Sequence, residues 1–158
     1  MEKRGFTLIE LLLVMGIFAI LAALATVNLL RPQTQASVSS TTQVLTADVK
    51  GQQLKTMAGD TEGQTAPGPQ GIYFEAARYT LFQGSAYSAG DPANKVVNLE
   101  NNLTLTGINF PTSQLVFARR SGEVAGFVAG SDSVTVQNTQ SSEQKTITVN
   151  RYGTIVIN

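Results

Sequence analysis

Residues 1–32 read MEKRGFTLIELLLVMGIFAILAALATVNLLRP, and this stretch decides the architecture. From Phe6 to Leu30 the one ionisable side chain is Glu10, and Leu11 to Ala25 is apolar without interruption. As a helix, residues 6–30 extend about 37 Å at 1.5 Å per residue. A bilayer's hydrocarbon core is about 30 Å thick, so the segment is expected to span it. Leu12, Val14, Ile17 and Leu21 leave no polar face, as lipid on every side requires. Lys3 and Arg4 precede the span, which places the N-terminus in the cytoplasm and everything after Arg31 outside it.

Two plain readings compete for this segment: a signal anchor, and a secretory signal cut after the small-x-small run Ala23-Leu24-Ala25. Glu10 speaks against both. A carboxylate inside a membrane segment costs about 2.5–3.5 kcal/mol on insertion scales, which implies a partner for it. Glu2 and Glu10 also cancel Lys3 and Arg4, whereas a secretory signal calls for a positive n-region.

Gly5-Phe6-Thr7-Leu8-Ile9-Glu10, after a short charged leader and before an unbroken apolar helix, resembles the class III signal of type IV pilins and type II secretion pseudopilins. The resemblance implies that a prepilin peptidase cuts between Gly5 and Phe6 and that the new terminal Phe6 is N-methylated. It makes 1–5 the leader, 6–30 the transmembrane and assembly helix, and 31–158 the extracytoplasmic head. Cutting there would remove Lys3 and Arg4 and leave a cationic amine on Phe6. Glu10, one helical turn away, could meet such an amine on a neighbouring subunit. A charge pair in low dielectric is strong when made and costly when unmatched, so it can set the axial register between helices. Methylation keeps the amine's charge.

The remaining composition excludes most chemistry. The chain of 158 residues has no Cys and no His, which removes disulfides, thiolate and imidazole metal sites, and the commonest general base. Lys plus Arg and Asp plus Glu number 11 each, so no bulk charge draws nucleic acid or an anionic surface. Residues 31–158 are equally balanced, at nine basic and nine acidic. Ser121 or Ser131 with Lys145 could imitate a Ser–Lys pair, but neither serine stands in a recognisable motif. Arg119, Arg120, Lys145 and Arg151 could form a local basic patch for DNA, yet no stacking aromatics accompany them. Asp132 is read as a solvated loop residue, because carboxylates beyond Glu10 lie mostly singly and give no hard-cation ligand set. No catalysis, metal or cofactor is expected, and nucleic acid is not an expected partner.

Beyond Pro32 the pattern changes. Gln33–Thr42 is rich in Ser, Thr and Gln, a weak helix signal, and Pro32 permits a bend. Val44, Ala47, Gly51, Leu54 and Ala58 recur at spacings of three and four, widened by Val38, Leu45 and Val49. They predict an amphipathic helix over about 38–58 with Asp48, Lys50, Gln52 and Lys55 opposite. Gly59–Gly71 reads as a loop. From 72 to 158 the chain reads as strands: Ile72–Phe74 and Tyr79–Phe82 as a hairpin, Val96–Leu99, Leu103–Leu105, Leu115–Phe117, Val124–Val128, then strands through Val134–Val136, Ile147–Val149 and Ile155–Ile157. The expected fold is α+β and pilin-like: one long N-terminal helix, its outer half packed on an antiparallel β-sheet head.

Within the family the layout is similar to H-type minor pseudopilins and FimT-like minor pilins. The residues carrying this are Gly71-Ile72 opening a strand after a helix and loop, Leu115-Val116-Phe117 before a Ser121-Gly122 turn, and the closing Tyr152-Gly153-Thr154-Ile155. The function expected is structural: a subunit of a type IV pilus or type II secretion pseudopilus. The implied partners are prepilin peptidase, other pilins or pseudopilins, the inner-membrane assembly platform and the inner membrane. The alternatives are a minor pilin acting as a binding module at a fibre tip, for DNA or a surface, and a membrane-anchored domain unrelated to filaments.

Overall fold

The computed structural model describes residues 7–29, 31–61, 63 and 66–158, with backbone alone at 24–29 and 31–36. Helix α1 spans Leu8–Leu29 and helix α2 spans Arg31–Ala58. Pro32 falls in the first turn of α2, where a missing N–H and a fixed φ cost nothing. The Ser/Thr/Gln-rich start is therefore helical, and α2 begins seven residues before the expected Val38 (38 − 31).

Eight strands follow: β1 Gln70–Glu75, β2 Arg78–Gln83, β3 Lys95–Asn98, β4 Leu103–Thr106, β5 Gln114–Phe117, β6 Ser133–Asn138, β7 Gln144–Val149 and β8 Ile155–Ile157. They form two four-stranded antiparallel sheets, β3-β2-β1-β5 and β4-β6-β7-β8. The fold is α+β and pilin-like, with the head built from two sheets that share one core. Phe74, Tyr79 and Leu115 from the first sheet meet Leu105, Val136 and Ile147 from the second, and all are buried. Phe110 bridges them, its ring stacked on Phe74 at 5.2 Å between centroids. The β1–β2 turn joins the sheets directly, since the Ala76 carbonyl accepts from the Leu105 N–H at 2.8 Å.

The expected strand Val124–Val128 does not form. Only Val124 makes a bridge, to Phe117, and Gly126 (φ 64°) then turns the chain away from β5. Alternation and β-branched residues describe a strand-competent segment, but pairing needs a neighbour that the turn denies it.

Helix α2 buries the widening members of its expected apolar face, Val38, Leu45 and Val49, and not the repeat that begins at Val44. Val38, Thr42, Leu45, Val49, Gln52 and Thr56 face the sheets and are buried. Val44 and Leu54 point outward, 50% and 64% exposed. Gln52, expected on the polar face, is 2% exposed. Both stripes have the same three-and-four spacing, so periodicity cannot choose between them. Contacts with the sheet accompany the choice: the buried stripe carries Gln52, whose amide reaches the Gly71 and Phe82 carbonyls. The polar members are acceptable because each is bonded. The Thr42 and Thr56 hydroxyls donate to the Val38 and Gln52 carbonyls at 2.7 and 2.8 Å. Gln52 Nε2 donates to the Gly71 carbonyl at 3.0 Å.

Two turns clamp the head onto α2. Gln53 Nε2 donates to the carbonyls of Gly122 and Tyr152, both at 2.9 Å, and Lys50 Nζ donates to the Gly153 carbonyl at 2.7 Å. Gly153 is buried at φ 74°, and a Cβ there would overlap the Gln53 side chain. The Ser121-Gly122 and Tyr152-Gly153 pairs singled out in the sequence are these clamps.

Candidate functional site: the N-terminal end of the first helix

Gly5 and Phe6, the expected cleavage and methylation positions, lie outside the described residues. Thr7 precedes α1, and Glu10 stands in its first turn. The Thr7 carbonyl accepts from the Glu10 and Leu11 N–H groups at 3.1 and 3.2 Å. Its hydroxyl oxygen accepts from the Glu10 N–H at 3.3 Å and donates to Glu10 Oε2 at 3.5 Å. Thr7 is thus an N-cap whose hydroxyl takes the Glu10 N–H, while the Glu10 carboxylate returns to that hydroxyl and not to the Thr7 N–H as in a full capping box. The helix dipole also favours a carboxylate there, by about 0.3–1 kcal/mol. Glu10 thus has an intramolecular task that the sequence reading did not assign. The signal was available, since Thr-x-x-Glu before an apolar run is the usual signature.

The capping contact leaves Glu10 exposed, and the apolar side chains around it are exposed too. Leu8 is 82%, Ile9 76% and Phe18 67% exposed. A contiguous apolar surface on this scale marks a surface that meets lipid or another protein. Among the described residues no helix is long and apolar enough to cross a membrane. The side chains of α1 are described from Leu8 to Ala23, while the uncharged stretch of the sequence after Glu10 continues to Leu30.

Other candidates are scattered by the fold. Ser131 and Asp132 line a cleft with Phe127, while Lys145 lines a different one beside Val38 and Glu143. The Ser121 hydroxyl oxygen accepts from the Glu123 N–H at 3.3 Å, within its own turn. Arg151 lies 3.8 Å from Glu123 in an exposed pair, and the Arg120 N–H donates to the Thr56 carbonyl at 3.4 Å. Among the described residues no group of three or more acidic side chains could hold a metal. Tyr79 donates to Asp48 Oδ2 at 2.6 Å; burial, then this carboxylate, pushes the phenol well above its ordinary value. It stays a neutral donor that ties β2 to α2.

Residues 1–26 match a family described as the prokaryotic N-terminal methylation motif. The chain carries a class III signal. That agrees with the type IV pilin and pseudopilin family, and it makes the N-terminus a pilin-type membrane anchor handled by prepilin peptidase. Neither a curated protein nor a solved structure matches the chain.

Proposed function

We propose that the protein is a structural subunit of a type IV pilus or type II secretion pseudopilus. It is inserted with its N-terminus in the cytoplasm, cut between Gly5 and Phe6, N-methylated on Phe6 and assembled through the helix over 6–30. Its catalytic inventory is empty in this reading: the chain acts by packing, and prepilin peptidase supplies the chemistry. Its partners are other pilins or pseudopilins and the inner-membrane assembly platform. The methylation motif at residues 1–26 carries the proposal, supported by the exposed apolar surface of α1. The kind of subunit we favour is an H-type or FimT-like minor one. Gly71-Ile72 within β1 and the Gly122 and Gly153 turns against α2 support that layout.

Glu10 is given two successive tasks. In the single chain its carboxylate accepts from the hydroxyl of Thr7, the residue that caps α1; in the filament it also faces the methylated amine on the Phe6 of a neighbour. Mass spectrometry of the mature protein should find N-methyl-Phe6 as its first residue. Glu10→Leu tests the second task. It should leave insertion and cleavage intact yet lower recovery of the subunit in sheared filaments more than about tenfold, because an amine without its counter-charge in low dielectric costs about 3–5 kcal/mol. In a monomeric anchor the same change removes a membrane carboxylate and is neutral or favours insertion. Undiminished incorporation of Glu10→Leu into filaments would remove the charge-pair mechanism, and a mature terminus at Met1 or Thr26 would remove the pilin reading.

A further inference from the structure

A cleft of about 300 Å³ lies beside β5, and Phe110, Val116 and Phe127 supply its apolar walls. Asp132 is the one charged side chain lining it, and it is half-buried. The Asp132 carbonyl accepts from the Val149 N–H at 2.8 Å, but among the described residues no group meets its carboxylate. The rim of the cleft is fixed in advance. Gln114 donates from Nε2 to Thr112 Oγ1 at 2.6 Å and accepts at Oε1 from the Tyr87 N–H at 2.8 Å. Thr112 and Ser113 are held at φ 52° and 56°, a region that residues other than glycine keep only where their surroundings impose it. A preformed cleft with apolar walls and a few placed polar groups is the usual form of a binding site. A half-buried carboxylate without a partner favours a cation, and apolar walls favour one carried on an apolar stem. The other cleft with a carboxylate, lined by Glu143, is also lined by Lys145, so it holds both signs.

The same chain carries two such cations on a rigid turn. Residues 118–123 are closed by the Ala118 N–H to the Glu123 carbonyl at 2.7 Å and the Gly122 N–H to the Ala118 carbonyl at 3.0 Å. The Arg120 N–H anchors the turn on α2 through the Thr56 carbonyl at 3.4 Å. Arg119 and Arg120 are exposed, and among the described residues neither guanidinium has a partner. We propose that the cleft receives the Arg119-Arg120 turn of a second copy, with an arginine stem along Phe110 and Phe127 and its guanidinium on Asp132. Charge complementarity selects this occupant. Arg78 and Arg151 already have Glu75 and Glu123 within their own chain, whereas Asp132 and the two arginines of the turn are opposite charges left unmatched. One copy therefore supplies what the other lacks. An arginine fork on a partly desolvated carboxylate makes a charge-assisted bond that a lysine would not reproduce. The contact goes beyond the filament reading and does not rest on it.

Charge reversal with rescue tests the contact, using full-length protein in detergent and two affinity tags to score pairing. Asp132→Arg makes cleft and turn both positive, and Arg119→Asp/Arg120→Asp makes both negative. Each variant alone should self-associate about tenfold or more weakly than wild type, as expected for the loss of a close charge pair across an interface. Mixed, the two should pair with each other nearly as wild type does, because every reversed group then meets its opposite. Rescue on mixing also shows that both variants are folded. Asp132→Asn, an isosteric change, should weaken pairing without lowering the melting temperature. Argininamide in excess should loosen wild-type pairs, and citrullinamide, its neutral counterpart, should not. Association through α1 is common to all variants, so the differences between them read the heads. Wild-type pairing by either reversed variant or by Asp132→Asn, a loss that mixing fails to restore, or indifference to argininamide would each overturn the contact.

Discussion

Helices α1 and α2 follow one another in the chain and spend their side chains in opposite ways. Along α1, Leu8, Ile9, Leu12 and Phe18 face outward, each more than half exposed. Along α2, the residues turned inward include Thr42, Gln52 and Thr56, and the apolar Val44 and Leu54 are left outside. Hydrophobicity alone would bury the first helix and expose the second. The difference is one of partner: α2 is completed by its own head, whereas α1 offers its chain's own head little and is shaped for lipid and other helices. Polar groups enter the core of the head because α2 and the sheets supply acceptors for them.

The sharpest way to break this contrast is a matched truncation. Leu45→Ala should destabilise the head by about 2–5 kcal/mol, the range for emptying a buried leucine site. Leu12→Ala on α1 should leave the head's melting temperature unchanged. Thermal unfolding of the full chain in detergent, followed by the circular dichroism of the β-sheets, measures both. Equal losses would mean that α1 belongs to the head's core after all.

Gly153→Ala probes the clamp between head and α2. The position is buried at a positive φ, and the new methyl must displace the Gln53 side chain, which holds the Gly122 and Tyr152 carbonyls. A residue forced into that backbone region costs roughly 1–3 kcal/mol. The loss should sit below that of Leu45→Ala and shrink when Gln53→Ala is added, because the collision is then gone. An unchanged melt for Gly153→Ala would show that the clamp contributes nothing.

Much of the fold was legible because it is local. The β1–β2 hairpin follows from alternating residues around Ala76-Ala77, and the apolar helix from its unbroken run. What local pattern could not settle was pairing across distance. One sheet or two depends on which strand β5 meets, and it meets β1, 44 residues earlier by the Gln70–Gln114 starts. The choice between two equally spaced stripes on α2 likewise turned on contacts with Gly71 and Phe82 that no window of sequence contains. At the candidate site the reverse held. The spacing Thr7 to Glu10 was local and readable, and the functional question asked of Glu10 drew attention from its simpler contact with the capping Thr7.

The smallest effect belongs to an exposed polar contact on the head, and it sets the scale for the buried ones on α2. Arg78 Nε donates to Glu75 Oε2 at 2.6 Å across the β1–β2 turn, with both side chains substantially exposed. The bond to Arg78 holds the Glu75 carboxyl below its ordinary value despite a slight opposing desolvation. A carboxyl lowered on folding stabilises the native state above the unfolded pKa, near 4.3 for glutamate, and that gain is lost as pH falls through the lower folded value. Water and salt screen so open a pair, so the gain is small even at neutral pH. Glu75→Gln should therefore lower the melting temperature slightly at pH 7 in dilute buffer and less at high salt. Well below pH 4, where wild type also carries a neutral side chain, the difference should close. Gln52→Leu serves as the contrast. It removes the buried amide that ties α2 to the Gly71 and Phe82 carbonyls and sets an apolar side chain against them, so it should cost more than Glu75→Gln at every pH, with no dependence on salt. A Glu75 variant that melts lower than Gln52→Leu would reverse the ranking, and with it the claim that α2's polar residues matter because they are buried.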